Sequence, residues 1–308
     1  MDKFANHLVG IIPLAKKESI FNTIWDDGLI RTGKNLNAIQ SAVLDCASAG
    51  CTSIWINADY EQIDLLKKEV GSWVQDPIYF WRSYERYPSE HRRFIPIFYS
   101  WNHQKDVKRR DSYGWGILNA ASVATKIAKN ISKFLIPDMF YVSFPFAVTS
   151  MWQSQDYRKE LRRKRFCFVH EDKTFMDNKL LSFSFTQEDL KAARANVRKK
   201  GTGFYMSVPE GPNDPNWQKP RPLEERWSAR FFEISDIFSF TDLNNYHKEQ
   251  ARYYYPITSW EEYVDFMKSD LELKAPHKHY FYNRGKELIN GYDETEQRPD
   301  YSFTEKNE

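Results

Sequence analysis

Apolar runs and helical periods alternate along the first half of the chain. Short, β-branched apolar runs of this kind are typical of buried strands, and apolar residues spaced three and four apart are typical of helices. The alternation predicts a mainly parallel sheet with helices on both faces, in which strand 8–14 is central. The predicted strands are 8–14, 52–58, 92–101 and 138–148, and the predicted helices are 34–50, 60–73 and 112–135.

The second half is less regular and richer in aromatic residues. The strand-like segments are 163–171, 179–185 and 229–240, and helices are predicted at 186–200 and 258–269, where residues suited to capping stand at the starts. The Pro- and Gly-rich stretch 207–225 is predicted to be a long loop. These patterns predict an α/β core over 7–150, an α+β extension over 151–290 whose segment 229–268 returns to the core, and a flexible tail over 291–308.

Composition narrows the class of protein. A net charge of +2 lacks the strong basic excess of most nucleic-acid-binding proteins, so a nucleic-acid partner is not favoured. The longest apolar runs fall well short of the roughly 18 residues of a membrane span, and we expect no membrane association. The amino-terminal residues lack the apolar core of a signal peptide, and the three cysteines suit reduced, buried thiols. These features predict a cytoplasmic globular protein.

Several stretches of the chain follow one another in the order of a known set of motifs. They are IIPLA at 11–15, the residues Leu29, Ile30, Gly33, Lys34, Leu36 and Ile39, CASAGCTSIWINA at 46–58, DSYGWGILNAASVA at 111–124, EISDIFSFTDL at 233–243 and ITSWEEYVDF at 257–266. In this order they resemble the motifs of the sugar nucleotidyltransferases and related enzymes of the GT-A fold. The resemblance implies a three-layer α/β sandwich that binds a nucleotide or nucleotide sugar, uses Mg²⁺ and carries out nucleotidyl or glycosyl transfer. The pattern is also similar to that of bacteriophage-encoded proteins, which implies a host cytoplasm.

The chain also departs from the family's pattern at the positions that bind phosphate and metal and that carry out catalysis. The glycine-rich phosphate loop is absent, and the family's catalytic lysine falls near Asp26 or Asp27. After the fourth predicted strand, where the family has a metal-binding Asp, the chain offers Ser143 and Pro145. Two functions therefore stay open: a divergent nucleotidyl- or glycosyltransferase, or an inactive GT-A-like scaffold that binds a protein or a glycan.

Two loops at predicted carboxyl ends of strands carry cations that could bind phosphate. Long cationic side chains can replace a glycine cradle, although their contacts are more exposed and more sensitive to salt. The alternatives are a solvated basic loop in the first case and ordinary helix capping in the second. The candidates are Lys16, Lys17, Arg31 and Lys34 in the first loop and Arg109, Arg110 and Asp111 in the second.

Two other charged features have competing interpretations. Asp236 lies where the family has its second metal-binding acid, but one carboxylate alone holds Mg²⁺ weakly, so a capping or surface role is the alternative. The stretch 157–165 holds six cations and one Glu. A charged helix face explains it better than a patch for an acidic partner, because the overall charge is near neutral.

Overall fold

A computed structural model of the chain describes residues 5–14, 21–33, 36–77, 94–103, 112–150, 153–200, 232–269, 271 and 281–282. The strands are β1 Leu8–Pro13, β2 Arg31–Gly33, β3 Leu36–Asn37, β4 Ser53–Asn57, β5 Trp73–Gln75, β6 Phe94–Ser100, β7 Met139–Val142, β8 Ala147–Thr149, β9 Phe166–Val169, β10 Phe183–Thr186, β11 His247–Gln250, β12 Tyr254–Pro256 and β13 Phe281–Tyr282. The α-helices are α1 Ala38–Ser48, α2 Ile63–Val70, α3 Tyr113–Ile131, α4 Arg158–Leu161, α5 Gln187–Lys200, α6 Ile234–Ile237 and α7 Trp260–Lys268. Short 3₁₀ turns lie at Asp27–Leu29, Tyr60–Gln62, Lys133–Leu135, Gln153–Gln155, Phe175–Asp177 and Leu243–Asn245.

The main sheet is parallel at its centre and is flanked by antiparallel pairs on both sides, and at one edge β11 pairs in parallel with β9. Among the described residues its nine strands follow the order β11-β9-β10-β7-β1-β4-β6-β5-β13. Strand β1 pairs in parallel with β4 and β7, and β4 pairs in parallel with β6. The prediction of a mainly parallel α/β core with strand 8–14 at its centre is therefore confirmed. Strands β9, β10 and β11 extend the same sheet beyond β7, and the predicted domain boundary near residue 150 stays a prediction.

Helices cover both faces of this sheet, as the alternation predicted. A Cβ atom added at Gly10 of β1 would lie 2.9 Å from Cys46 of α1, whereas Pro13 of the same strand faces Gly116 of α3. Positions 10 and 13 point to opposite faces because successive strand residues alternate. Helix α1 therefore packs on one face and α3 on the other. All six residues of β1 are buried, which explains its continuous apolar run.

Several predicted boundaries are wrong, and each error has a local cause. The first helix begins at Ala38 instead of residue 34, because Asn37 caps it in a reciprocal capping box with Gln40. The second predicted helix, 60–73, ends at Val70, where Gly71 takes a φ of 90°. The third, 112–135, ends at Ile131 and continues as a 3₁₀ turn.

Two predicted strands also need correction. Segment 138–148 is not one strand: β7 ends at Val142, and β8 leaves the main sheet to pair with β12. Pro145 lies between them, and a proline cannot donate the backbone hydrogen bond that a central strand requires. In the described part of segment 229–240 the prediction of a strand fails, because Glu233 and Asp236 form a capping box that starts α6.

Two arginines of the basic stretch 157–165 make contacts within the fold. Arg158 donates to the last carbonyls of α1, at Ala47 and Ser48, and pairs with the buried Asp76 at 2.7 Å. Arg165 makes a bidentate ion pair with Asp189, with N–O distances of 2.8 and 2.9 Å. The stretch is therefore more than a solvated helix face, since these two arginines make internal contacts.

Candidate functional site

Polar side chains gather where the parallel strands β4 and β6 end. Asn57 is the last residue of β4 and is fully buried, and Ser100 is the last residue of β6. The Ser100 hydroxyl donates to Asn57 Oδ1 at 3.2 Å, and Asn119 Nδ2 of α3 donates to the same oxygen at 2.9 Å. Asn57 Nδ2 in turn donates to Asn102 Oδ1 at 3.3 Å. We call Asn57, Ser100, Asn102 and Asn119 the amide cluster.

A glycine allows the helix that carries Asn119 to approach the strand ends. A Cβ atom at Gly116 would lie 3.2 Å from Asn57 Nδ2 and 3.4 Å from Pro13 Cβ. Both distances are as short as or shorter than ordinary packing contacts, so a larger residue would push α3 away from β1 and β4. Helix α3 begins nearby, where the Ser112 hydroxyl accepts from the amide of Trp115 at 3.2 Å. Gly116 therefore helps to fix the position of the amide cluster.

Two exposed aromatic side chains form a rim beside the amide cluster. Trp101 follows β6 directly, and its carbonyl accepts from Asn119 Nδ2 at 2.9 Å. Its ring packs edge-on against Tyr60 with 5.3 Å between centroids. Tyr60 is 68 % exposed and Trp101 is 47 % exposed. The site therefore combines a neutral, mostly buried cluster of amides and hydroxyls with an aromatic rim that a planar ligand group could contact.

A second polar cluster lies on the other face of the sheet, around the buried Asp45 of α1. The hydroxyl groups of Tyr141 and Ser182 donate to its carboxylate at 2.9 and 3.1 Å, and Ser154 makes a further hydrogen bond. Burial raises the pKa of Asp45, and the hydroxyl hydrogen bonds offset part of that rise. Asp45 and Ser143 also line a pocket of about 10 Å³, room for roughly one water molecule. This second group is called the Asp45 cluster.

The predicted phosphate-binding residues fall mostly outside the described residues. Arg31 is described, and its side chain is exposed while its carbonyl accepts from the Tyr263 hydroxyl at 2.8 Å. The side chains that lie outside are Lys16, Lys17, Lys34, Arg109, Arg110 and Asp111. Whether these cations converge on one cleft therefore stays a prediction.

The candidate metal ligand Asp236 lies in the first turn of α6. Its carboxylate accepts from the backbone amide of Glu233 at 3.3 Å, which is the capping role that the sequence left as an alternative. Among the described residues, no group of three or more His, Cys, Asp or Glu side chains could hold a metal ion. A role for Asp236 in binding Mg²⁺ stays a prediction.

Sequence reasoning missed the amide cluster. Its members are uncharged, so a search for cations, acids and motifs passed over them. A usable signal was present, because Asn57 ends the apolar run SIWIN and Ser100 and Asn102 follow the run FIPIFY. Polar residues at carboxyl ends of parallel strands meet at the edge where α/β sheets bind ligands.

No protein-family model and no curated protein matches the chain. Among solved structures, a nucleoside-diphosphate-sugar pyrophosphorylase from Vibrio cholerae RC9 superposes with a TM-score of 0.50 at 10% identity, covering 84% of this chain and 100% of that one. The chain has the sugar nucleotidyltransferase fold. The strand order around β1 and the helices on both faces agree with the fold that the motifs implied.

Two further structures are similar at lower scores. One is assigned as a glucose-1-phosphate thymidylyltransferase from Bacillus anthracis, in complex with sucrose, with a TM-score of 0.47, 10% identity and coverage of 87% of this chain and 98% of that one. The other is a UDP-glucose pyrophosphorylase in complex with UDP-glucose, with a TM-score of 0.49, 11% identity and coverage of 84% and 97%. No helix in the part of the chain that the structure describes combines the length and apolar composition needed to span a membrane.

Proposed function

We propose that the protein binds a nucleotide or nucleotide sugar at the carboxyl edge of its sheet, over the amide cluster. The observation that carries the proposal is the buried Asn57, whose amide holds Ser100, Asn102 and Asn119 together beside the exposed Trp101. Amides and hydroxyls offer donors and acceptors to the polar edge of a base or to sugar hydroxyls. A base could also stack on the aromatic rim.

The phosphates would be held by cations that reach in from the rim. Arg31 is the described candidate, and Lys16, Lys17, Lys34, Arg109 and Arg110 are proposed to join it. Without a glycine cradle such contacts stay exposed to solvent, so we expect binding to weaken as salt is raised. Substituting alanine for Lys34 and Arg110 together should remove most of that salt dependence.

Binding titrations test the proposal directly. The ligands are nucleoside triphosphates of each base, UDP-glucose and glucose 1-phosphate, each with and without Mg²⁺. We expect a base-containing ligand to bind, and Trp101→Ala to weaken it about tenfold, since base–aromatic stacking contributes about 1–3 kcal/mol. Phe94→Ala is the matched control, because Phe94 is an exposed aromatic residue that packs edge-on against Trp73 at the opposite end of β6 from Ser100. Failure of every ligand to bind would overturn the proposal.

A second candidate function is a scaffold that binds without catalysing transfer. It is favoured by the position after β7, where the family has a metal-binding Asp and this chain has Ser143, which lies within hydrogen-bonding reach of the buried Asp45 carboxylate. A transferase needs a cation to neutralise charge on the phosphates and an acid to hold that cation. Incubation with a nucleoside triphosphate, a sugar 1-phosphate and Mg²⁺ separates the two: release of pyrophosphate supports transfer, and binding without release supports the scaffold. A bacteriophage origin and a host-cytoplasm location stay predictions.

A further inference from the structure

The hydrogen bonds of the amide cluster fix the orientation of its side-chain amides. The carbonyl of Trp101 can only accept, so the atom of Asn119 that faces it must be the donor Nδ2. The same Nδ2 donates to Asn57, so the atom of Asn57 on that side must be the acceptor Oδ1. Asn57 Nδ2 then faces Asn102, whose contacting atom is again the acceptor Oδ1. One backbone carbonyl therefore sets the direction of these hydrogen bonds.

Asn119 uses both of its N–H hydrogens within the fold. They reach Asn57 Oδ1 and the Trp101 carbonyl at 2.9 Å each. A side-chain amide has two donor hydrogens and one acceptor oxygen, so what remains on Asn119 is Oδ1. Among the described residues no group donates to this oxygen. Asn119 cannot turn its amide to present a donor instead, because the turned amide would place Oδ1 against two other oxygens.

The oxygen of Asn119 also differs from the rest of the amide cluster in its contact with solvent. Asn57 is 0 % exposed and Asn102 is 6 % exposed. Asn119 is half-buried, and its Oδ1 keeps contact with solvent. The residue lies where the parallel strands end, which is the edge at which α/β sheets bind ligands. A ligand at this edge therefore meets an acceptor whose orientation is already fixed.

An acceptor recognises a different part of a ligand from the part that cations recognise. Lysine and arginine side chains are donors only, so the proposed phosphate-binding cations pair with acceptors on the ligand. Asn119 Oδ1 pairs with a donor. On nucleotides and sugars the donors are the N–H groups of the base and the hydroxyl groups of the sugar, whereas ionised phosphates offer acceptors.

We infer that Asn119 is a specificity-determining residue whose Oδ1 accepts a hydrogen bond from a base N–H group or a sugar hydroxyl of the ligand. This role rests on the proposed function, because it concerns the ligand of the same site, and it adds the requirement that the ligand carry a donor. A bound ligand without the donor would take water away from Oδ1 and leave the oxygen unpaired. Sites that hydrogen-bond an N–H or O–H group reject analogues that lack it for this reason.

Paired ligands test the requirement on the unaltered protein. Each nucleotide or nucleotide sugar that binds is compared with counterparts from which one donor is removed. Base N–H groups are methylated in one series, and sugar hydroxyls are replaced by hydrogen in the other. We expect one counterpart to bind at least about tenfold more weakly. The series to which it belongs identifies the base or the sugar as the source of the donor.

The variant Asn119→Ala separates recognition of the ligand from a purely structural role. It lacks the acceptor, so the two members of the affected pair should bind with nearly equal affinity. If Asn119 only positioned Asn57, every ligand would weaken by the same factor and the discrimination would remain. Asn130→Ala is the matched control, because Asn130 is an exposed asparagine on the same helix, about three turns away. It should keep the discrimination.

The outcomes distinguish a failure of this role from a failure of the proposed function. Equal binding within every pair would overturn the role of Asn119 and leave the proposed function standing. Discrimination that survives in Asn119→Ala would also overturn it and would assign the ligand donor to another acceptor. Absence of binding by every ligand would overturn both. Urea unfolding reports whether Asn119→Ala folds, and the paired ligands on the unaltered protein decide the donor requirement if it does not.

Discussion

The amide cluster and the Asp45 cluster lie on opposite faces of the same sheet, and they differ in charge and in the groups that surround them. Asn57 is aligned with Pro13, on the face covered by α3, whereas Tyr141 of the Asp45 cluster is aligned with Gly10, on the face covered by α1. The amide cluster is neutral, and the exposed Trp101 stands between its members Ser100 and Asn102 in the chain. The described partners of Asp45 are hydroxyl groups, and its carboxylate is buried among them beside the small pocket.

This difference separates a binding role from a structural one. A hydrogen bond between neutral groups contributes less than one to a charged group, so an exchange of partners within the amide cluster costs less than removal of a partner from the Asp45 carboxylate. A buried carboxylate that depends on surrounding hydroxyls loses stability when any of them is drawn away. We therefore expect substitutions around Asp45 to affect unfolding, and substitutions around Asn57 and its rim to affect ligand binding.

The largest expected effect is that of Asp45→Ala. The substitution leaves the hydroxyl groups of Tyr141, Ser154 and Ser182 without their acceptor and leaves a small cavity. We expect it to lower the free energy of unfolding by about 3 kcal/mol. Urea unfolding measures this loss. If the Asp45→Ala variant kept its stability and lost ligand binding completely, the Asp45 cluster would be the binding site and the prediction would be wrong.

Asp45→Asn is the control. The difference in unfolding free energy between this variant and the unaltered protein should change with pH in a definite direction. Burial raises the pKa of Asp45 above 3.8, so the native state keeps a proton that the unfolded state has already released. Stability of the unaltered protein should therefore fall as pH rises from 3.8 through the raised pKa. The Asn variant lacks this fall, so its stability relative to the unaltered protein should improve with pH. A constant difference across pH would contradict the interpretation.

Asp189 tests how an ion pair with an arginine changes the behaviour of a carboxylate. Its contribution to stability should depend on pH in the opposite direction from that of Asp45. Burial alone would raise its pKa, but hydrogen bonds from Arg165 and Thr186 outweigh burial and lower it. Its stabilising contribution is then present above pH 3.8 and is lost as pH falls through the lowered pKa. Asp189→Asn should cost about 2 kcal/mol at neutral pH, from lost charged hydrogen bonds. Urea unfolding across acid pH should show a smaller difference at the lowest pH.

Gly116→Leu should disturb the amide cluster by overpacking. Its side chain must displace Asn57 or Pro13, since even a Cβ atom lies 3.2 Å from Asn57 Nδ2. We expect a loss of about 1–2 kcal/mol in unfolding free energy and a larger proportional loss of ligand affinity. Ser122→Ala, farther along the same helix, is the matched control. Normal affinity in the Leu variant would show that the amide cluster does not form the binding floor.

The smallest effect on stability is expected at the aromatic rim. Tyr60 is 68 % exposed, so Tyr60→Leu should change the free energy of unfolding by no more than about 0.5 kcal/mol. Affinity for base-containing ligands should fall, whereas affinity for inorganic pyrophosphate should not. Calorimetric titration with both ligands checks this split. A large loss of stability in the Tyr60→Leu variant would show that Tyr60 packs as part of the hydrophobic core and is not an exposed rim residue.

Local patterns predicted the elements whose causes lie within a few residues. The apolar runs around β1, β4 and β6 and the helical spacing in α1 and α3 were sufficient to predict the parallel core and the helices on both faces. Gly50, predicted to end the first helix, takes a φ of 85° just after it. Thr186 and Asp189 bond to each other at the start of α5, as their spacing predicted. Errors arose where a cap or a proline acted against an apolar run, as at Asn37 and Pro145.

The clusters themselves were decided by the tertiary structure. Asn57 meets Asn119 from 62 positions away, and Asp45 meets Ser182 from 137 positions away. No periodicity links residues so far apart, because strand order and crossovers determine which strand ends become neighbours. The sequence by itself therefore determined the class of fold, through local apolar spacing. Only the assembled sheet decided that one face buries a carboxylate among hydroxyl groups and that the other gathers neutral amides beside an aromatic rim.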